Sequence, residues 1–193
     1  MPPAHANWFI GLPVPSEGWF AQLPDLPPGS RPFSPGDLHI TVAFLGAVGE
    51  AAARGAFARA HDWPSGPLPV QLGAVRPFGS KRNPSALSAV LCEGHDEVIA
   101  AVAEVRDELL VAAGARPEKR PPWPHVTLAR IGRRARPEER RAALAWAQDL
   151  DLGSPSLLLD DVALYTWARD RSRALFRIVD RFEISSDSHP RTT

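Results

Sequence analysis

Apolar and polar residues alternate in short blocks along the chain, and prolines fall mostly between those blocks. Proline cannot continue a helix interior or a central strand, so the blocks are units with natural stops. Residues 8–12 form an apolar run closed by Pro13 and predict a strand. Ser16 is placed to cap a short helix through residue 23, ahead of a Pro-rich loop over 24–35. Residues 38–45 predict a second strand between Gly36-Asp37 and Gly46, and the alanine-rich stretch 51–60 predicts a helix that stops near Trp63-Pro64. Two further strands are expected over 69–75 and 86–91, with a polar loop over 78–84 between them.

The strongest helical period runs over 96–113. Val98, Ala101, Val102, Val105, Leu109 and Leu110 fall on one stripe, and Gly114 supplies a C-terminal stop. After a loop over 115–124 come a strand at 126–131 and a helix from Pro137, at its first position, to residue 150. Residues 156–165 and 174–184 predict the last two strands, and the polar residues 185–193 a flexible tail. Several neighbouring strands are joined by links too short for a crossover helix, which favours antiparallel sheets and an α+β class. A chain of 193 residues fits one compact unit, expected over 1–184 as two interleaved lobes.

Two lobes are suggested by an internal repeat. Leu38-His39-Ile40-Thr41-Val42-Ala43-Phe44-Leu45-Gly46 aligns without gaps on Pro124-His125-Val126-Thr127-Leu128-Ala129-Arg130-Ile131-Gly132. Six histidines and five threonines scattered at random would give a His-x-Thr pair only about 0.16 times, yet the chain has two in matching contexts. Duplication around an approximate two-fold axis accounts for them.

On a strand, residues two apart share a face, so His39 projects with Thr41 and His125 with Thr127. Ile40, Val42, Val126 and Leu128 then point to the core, and Ala43 and Ala129 continue the cleft face as small residues that leave room for a ligand. Two imidazoles and two hydroxyls converging on one cleft suit a tetrahedral anion such as a phosphate. The hydroxyls can donate to its non-bridging oxygens, while the imidazoles flank the attacking and leaving oxygens. Two histidines without matching carboxylates or thiolates are too few ligands for zinc, so no metal is expected. His5, His61, His95 and His189 read as solvated.

Composition narrows the setting. The 22 Lys and Arg residues balance 22 Asp and Glu, which argues against a polyanion-coating protein. Cys92 is the single cysteine, so no intrachain disulfide or thiolate cluster is expected, and a reducing, cytoplasmic setting fits. The first residues lack a basic stretch and a long apolar core, so neither a signal peptide nor a membrane association is expected.

The paired motifs, with the Trp8-to-Pro13 strand and the Phe44-Leu45-Gly46 and Leu128-Ala129-Arg130 extensions, resemble the two-histidine (2H) phosphoesterase superfamily. Within it the chain is similar to bacterial RNA 2′,3′-cyclic phosphodiesterases, also called 2′–5′ RNA ligases. The resemblance spans about residues 7–184 and implies a bilobal α+β fold, a pseudo-two-fold duplication with two antiparallel sheets flanked by helices around a central groove. It implies metal-independent opening of RNA 2′,3′-cyclic phosphate ends to 2′-phosphates, with reversible 2′–5′ RNA ligation as a second activity. It also implies His39 as general acid, His125 as general base, and Thr41 and Thr127 as phosphate holders. Pseudo-symmetry lets the two histidines exchange roles. No cofactor and no obligate protein partner is implied, and a monomer is expected. Other readings of the same groove are a phosphodiesterase for small cyclic nucleotides or 2′,5′-oligonucleotides, and a noncatalytic RNA- or nucleotide-binding module.

In such relatives the aromatic and the arginine at the positions of Phe44 and Arg130 clasp the terminal base. Strict alternation instead turns Phe44 to the core and Arg130 away from the groove, unless a bulge intervenes. Charge, neutral overall, is uneven: residues 1–114 carry −4 and 115–193 carry +4. Arg116, Lys119, Arg120, Arg130, Arg133, Arg134 and Arg136 surround the second motif and suit an RNA backbone, with Arg169, Arg171 and Arg173 as a second basic rim.

Overall fold

A computed structural model describes residues 6–80 and 82–185. Residues 186–193 of the tail expected over 185–193, and with them His189, lie outside the described residues, as does His5. Nine strands and three α-helices are found among them. In chain order these are β1 (Trp8–Pro13), β2 (Ser30–Pro32), β3 (His39–Gly46), α1 (Glu50–Arg59), β4 (Leu68–Gly79), β5 (Pro84–Glu93), α2 (His95–Ala112), β6 (His125–Ile131), α3 (Pro137–Asp149), β7 (Ser156–Leu159), β8 (Asp161–Trp167) and β9 (Phe176–Glu183).

All the strand pairings are antiparallel, in two sheets ordered β3-β1-β8-β9 and β2-β6-β5-β4-β7. The first sheet joins the beginning of the chain to its end. The second is built from the middle. The motif strands β3 and β6 occupy corresponding places, β3 at the edge of its sheet and β6 covered only by the three-residue β2. They approach each other across the gap between the sheets. This is the two-lobed α+β arrangement with a central groove.

The apolar stripe of α2 is buried at all six predicted positions, and Gly114 takes φ +62° just beyond the helix, a conformation that favours glycine. Three expectations are corrected. The segment beginning at Ser16 makes only a 3₁₀ turn at Phe20–Gln22, because Gly18 at φ +80° breaks any right-handed helix there. The loop over 24–35 contains β2. The run 156–165 is two strands in different sheets: β7 pairs with β4, while β8 lies between β1 and β9. Asp160 marks the switch, its carbonyl accepting from the Ile184 N–H at 2.6 Å. No helix among the described residues is long and apolar enough to cross a membrane.

Candidate active site

The two motifs share a local defect. Between β1 and β3, Ile10 pairs with Ala43 but Gly11 with Thr41, leaving Val42 as an extra residue. Between β5 and β6, Leu87 pairs with Ala129 but Ser88 with Thr127, leaving Leu128 extra. Each bulge falls immediately after the motif threonine. A bulge places two residues against one and shifts the alternation that follows. Val42 and Ala43 are therefore both buried, as are Leu128 and Ala129, and the next residue in each strand emerges. Ala43 and Ala129 do not line the cleft as alternation predicts; they are 1% and 0% exposed. The same shift settles the orientation of their neighbours. Phe44 is 57% exposed and faces the cleft, and Arg130 is exposed as well.

Each imidazole is tethered in the same way. His39 Nδ1 lies 2.6 Å from the Asp37 carbonyl, and His125 Nδ1 lies 2.7 Å from the Trp123 carbonyl. A carbonyl only accepts, so Nδ1–H donates and Nε2 is left with its lone pair for chemistry. The histidines interact: the His125 charge disfavours protonation of His39, as does Arg130.

Surroundings differ between the two halves. His39 packs among Phe9, Tyr165 and Phe176, with ring centroids 4.5, 5.2 and 5.5 Å away. This aromatic seat strips water from the ring, and burial pushes the His39 pKa down to about 4. His125 stacks on Phe78 at 4.2 Å, and burial also lowers its pKa. Neither imidazole keeps the unperturbed value that a solvated histidine has. The carbonyl that holds His39 belongs to a residue whose own side chain is 1% exposed. The Asp37 carboxylate accepts from the backbone N–H groups of Ser34, Leu175 and Phe176 at 2.8 to 3.1 Å, fastening the start of β3 to β9. Sequence inspection did not single out Asp37. The capping-box spacing from Ser34 to Asp37 is the one local signal for it.

The threonines are likewise unequal. Thr127 Oγ1 lies 3.1 Å from Oγ of the fully buried Ser88, its partner across the β5–β6 pair. Thr41 faces Gly11 in the corresponding pair. A Cβ at Gly11 would stand 2.9 Å from the Ile40 carbonyl and 3.5 Å from His39 Cδ2, so the glycine leaves room for the imidazole.

Thr41, Phe44, Phe78, Arg116, Trp123 and His125 line a cavity of about 950 Å³. Arg130 is not among the residues that line this cavity; it lies 5.8 Å from the Phe33 ring centre, and partial burial together with the Arg171 charge lowers its pKa. Arg171 lies over Trp167 at 4.5 Å, and Arg31 donates to the Arg171 carbonyl. Two of the arginines of the second-motif segment serve the fold. Arg136 pairs with Glu138 and Glu139 at the start of α3, and Arg140 donates to the carbonyls of Pro84 and Gly132. His61 is exposed and stacks on Phe182 at 4.1 Å, and His95 contacts Asp96.

Residues 15–171 match the model of the 2′-5′ RNA ligase superfamily. The chain is 30% identical over 138 residues to RNA 2′,3′-cyclic phosphodiesterase of Bacillus subtilis (strain 168), covering 67% of this chain and 74% of that protein. Its fold is similar to E. coli LigT complexed with 3′-AMP, with a TM-score of 0.68 and 19% identity over 94% of this chain and 99% of that one. TT0787 of Thermus thermophilus is similar at a TM-score of 0.68 and 21% identity, covering 95% of this chain and 100% of that one.

Proposed function

Since this chain belongs to the 2′-5′ RNA ligase superfamily of two-histidine phosphoesterases, we propose that it opens RNA 2′,3′-cyclic phosphate ends to 2′-phosphates, using His39 and His125 and no metal. One observation carries the reading: two duplicated strands that approach each other offer imidazoles tethered identically through Nδ1, each with its Nε2 free, and near enough for the charge of one to act on the other.

The reaction needs a proton removed on one side of phosphorus and a proton supplied on the other. Nε2 of His125 takes a proton from water as its oxygen bonds to phosphorus. The bond from phosphorus to the ribose 3′ oxygen breaks, and that oxygen takes the proton from Nε2 of His39. Thr41 and Thr127 donate to the non-bridging oxygens, with the Thr127 hydroxyl oriented by Ser88. Phe44 stacks on the terminal base, and Arg130 draws the anion toward His39. An RNA 5′-hydroxyl in place of water loses its proton to His125, bonds to phosphorus and displaces the 3′ oxygen, which gives a 2′–5′ linkage.

Burial keeps both imidazoles neutral in the free protein at neutral pH. The acid therefore receives its proton together with substrate, because a phosphate oxygen beside the ring favours imidazolium. We assign the protein to the cytoplasm, working as a monomer.

The test is incubation of an oligonucleotide bearing a cyclic phosphate, in EDTA, followed by identification of the product end. A 2′-phosphate supports the reading. A 3′-phosphate reverses the assignment of the leaving oxygen, and an intact cyclic end with bound RNA favours a noncatalytic module. Faster turnover of a mononucleotide than of an oligonucleotide favours a small cyclic nucleotide as substrate.

A further inference from the structure

The groove is longer than one phosphate requires. From His125 it continues past Trp123 along residues 114–122 to Arg106 on α2, and its volume of about 950 Å³ is at the top of the ~300–1,000 Å³ range of small-ligand sites. On the other side of the phosphate position, Phe9, Tyr165 and Phe176 enclose His39. An RNA whose last ribose carries the cyclic phosphate continues only through its 5′ oxygen, and the open direction is toward Trp123.

Trp123 is built as a platform. Its indole is 66% exposed, an unfavourable placement for a large aromatic in an empty groove. His125 needs only the Trp123 carbonyl, which any residue supplies. The backbone is nevertheless stiffened around the side chain: Pro121, Pro122 and Pro124 fix their own φ, and a residue before proline is confined to extended conformations. Such a surface is ordered before a ligand arrives, so stacking on it loses little entropy. Phe78 meets the indole edge-on, with ring centres 6.5 Å apart at 77°, and Phe44 lines the same cavity.

Charge on this stretch is available to an anion. Arg106 donates to the Arg120 carbonyl at 3.0 Å, securing the loop to α2. Glu118, the acid among the lining residues, is held by the backbone N–H and guanidinium of Arg120 at 3.1 and 3.4 Å. Arg116 lines the cavity with no hydrogen bond or ion pair among the described residues.

We propose that the groove holds a second nucleotide subsite, in which the base 5′ to the reacting end stacks on Trp123 and its backbone phosphate meets Arg116. The ligand class is single-stranded RNA of two or more nucleotides. The inference rests on the phosphodiesterase reading of the same cleft.

The experiment compares kcat/KM for a trinucleotide ending in a 2′,3′-cyclic phosphate with that for the matching mononucleotide. The unmodified protein prefers the trinucleotide, and W123A lowers that preference by about tenfold or more, the scale of one stacked base. W123L, apolar but without a π face, behaves like W123A, whereas W123F retains most of the preference. R116A lowers the slope of log affinity against log salt by about 0.7, one phosphate contact on a single strand. A starting preference near one, or an equal fall on both substrates, overturns the proposal, because Trp123 then acts only through His125. If the unmodified protein opens neither substrate, the assigned reaction fails. The subsite is then judged by the affinity of a fluorescent trinucleotide with a 2′-phosphate: about tenfold weaker binding in W123A supports it, and equal binding overturns it.

Discussion

The strands β3 and β6 carry the same chemistry in different settings. At both, the imidazole is tied through Nδ1 to the carbonyl two residues earlier, and a bulge after the threonine redirects the next side chains. Around β3 the tether is anchored by a buried carboxylate and the ring sits among aromatics. Around β6 the tether comes from an exposed residue in a proline-rich loop, and the threonine is braced by a buried serine instead. Duplication kept the paired imidazoles and hydroxyls, while the support around them diverged. On one side aromatic rings enclose His39, and the Arg130 charge acts on it. The other, around His125, is open, basic and aromatic.

The largest effect expected is from removing either imidazole. H39A and H125A should each lower turnover of a cyclic-phosphate oligonucleotide by about 10²- to 10⁴-fold with the circular dichroism spectrum retained. Near-normal turnover in either would break the equivalence of the two strands. Next is the anchor found on one side only. D37A leaves three backbone N–H groups without their acceptor and should destabilise the protein by about 3 kcal/mol in urea unfolding. A loss below about 0.5 kcal/mol would show that the tether of His39 needs no anchor.

The small residues opposite the threonines give milder effects of different kinds. G11A sets a methyl group against backbone and should cost about 1–3 kcal/mol of stability. S88A removes one hydrogen bond and should slow turnover about fivefold while changing stability less than G11A. Equal effects of the two on turnover and on stability would mean that the threonines are supported alike.

Acid should separate the histidines most gently. The folded-state pKa of His39 is about 4, below the unfolded value of ~6.5. The unfolded chain therefore binds more protons between those values, and stability falls as pH drops through that window. The stability gap between the unmodified protein and H39Q should shift against the unmodified protein by about 2 kcal/mol from pH 7 to pH 5. An unchanged gap would place His39 in water. Because both free-protein values are lowered, the kcat/KM bell should centre below pH 6.5, with the kcat profile moved upward by bound phosphate. A kcat/KM optimum above pH 7 would contradict this.

Much of the architecture was legible where local chemistry and tertiary demand agree. The stripe of α2 needed only helical period, and Gly114 only its freedom at positive φ. The run containing β7 and β8 reads as one strand because only Asp160-Asp161 separates its two apolar stretches. Two strands of one sheet and two strands of different sheets present the same local pattern. Which neighbour each strand pairs with is a long-range choice, here β4 for β7 and β1 for β8.

The candidate site divides along the same line. His39, Thr41, His125 and Thr127 were legible because a repeated spacing of two places each pair on one face, whatever the rest of the chain does. Phe44 and Arg130 were not, since their direction depends on an extra residue whose presence is defined only against a partner strand. Asp37 and Ser88 were invisible for a related reason: an acid or a serine matters here through groups 138 and 39 residues away. By itself the sequence determined most of the elements, the duplicated motif and the sharing of one face by each imidazole and hydroxyl, all consequences of short-range geometry. Only the tertiary structure decided how those groups are braced, which imidazole is buried deeper, and which side of the cleft stays open, because these follow from packing between segments far apart in the chain.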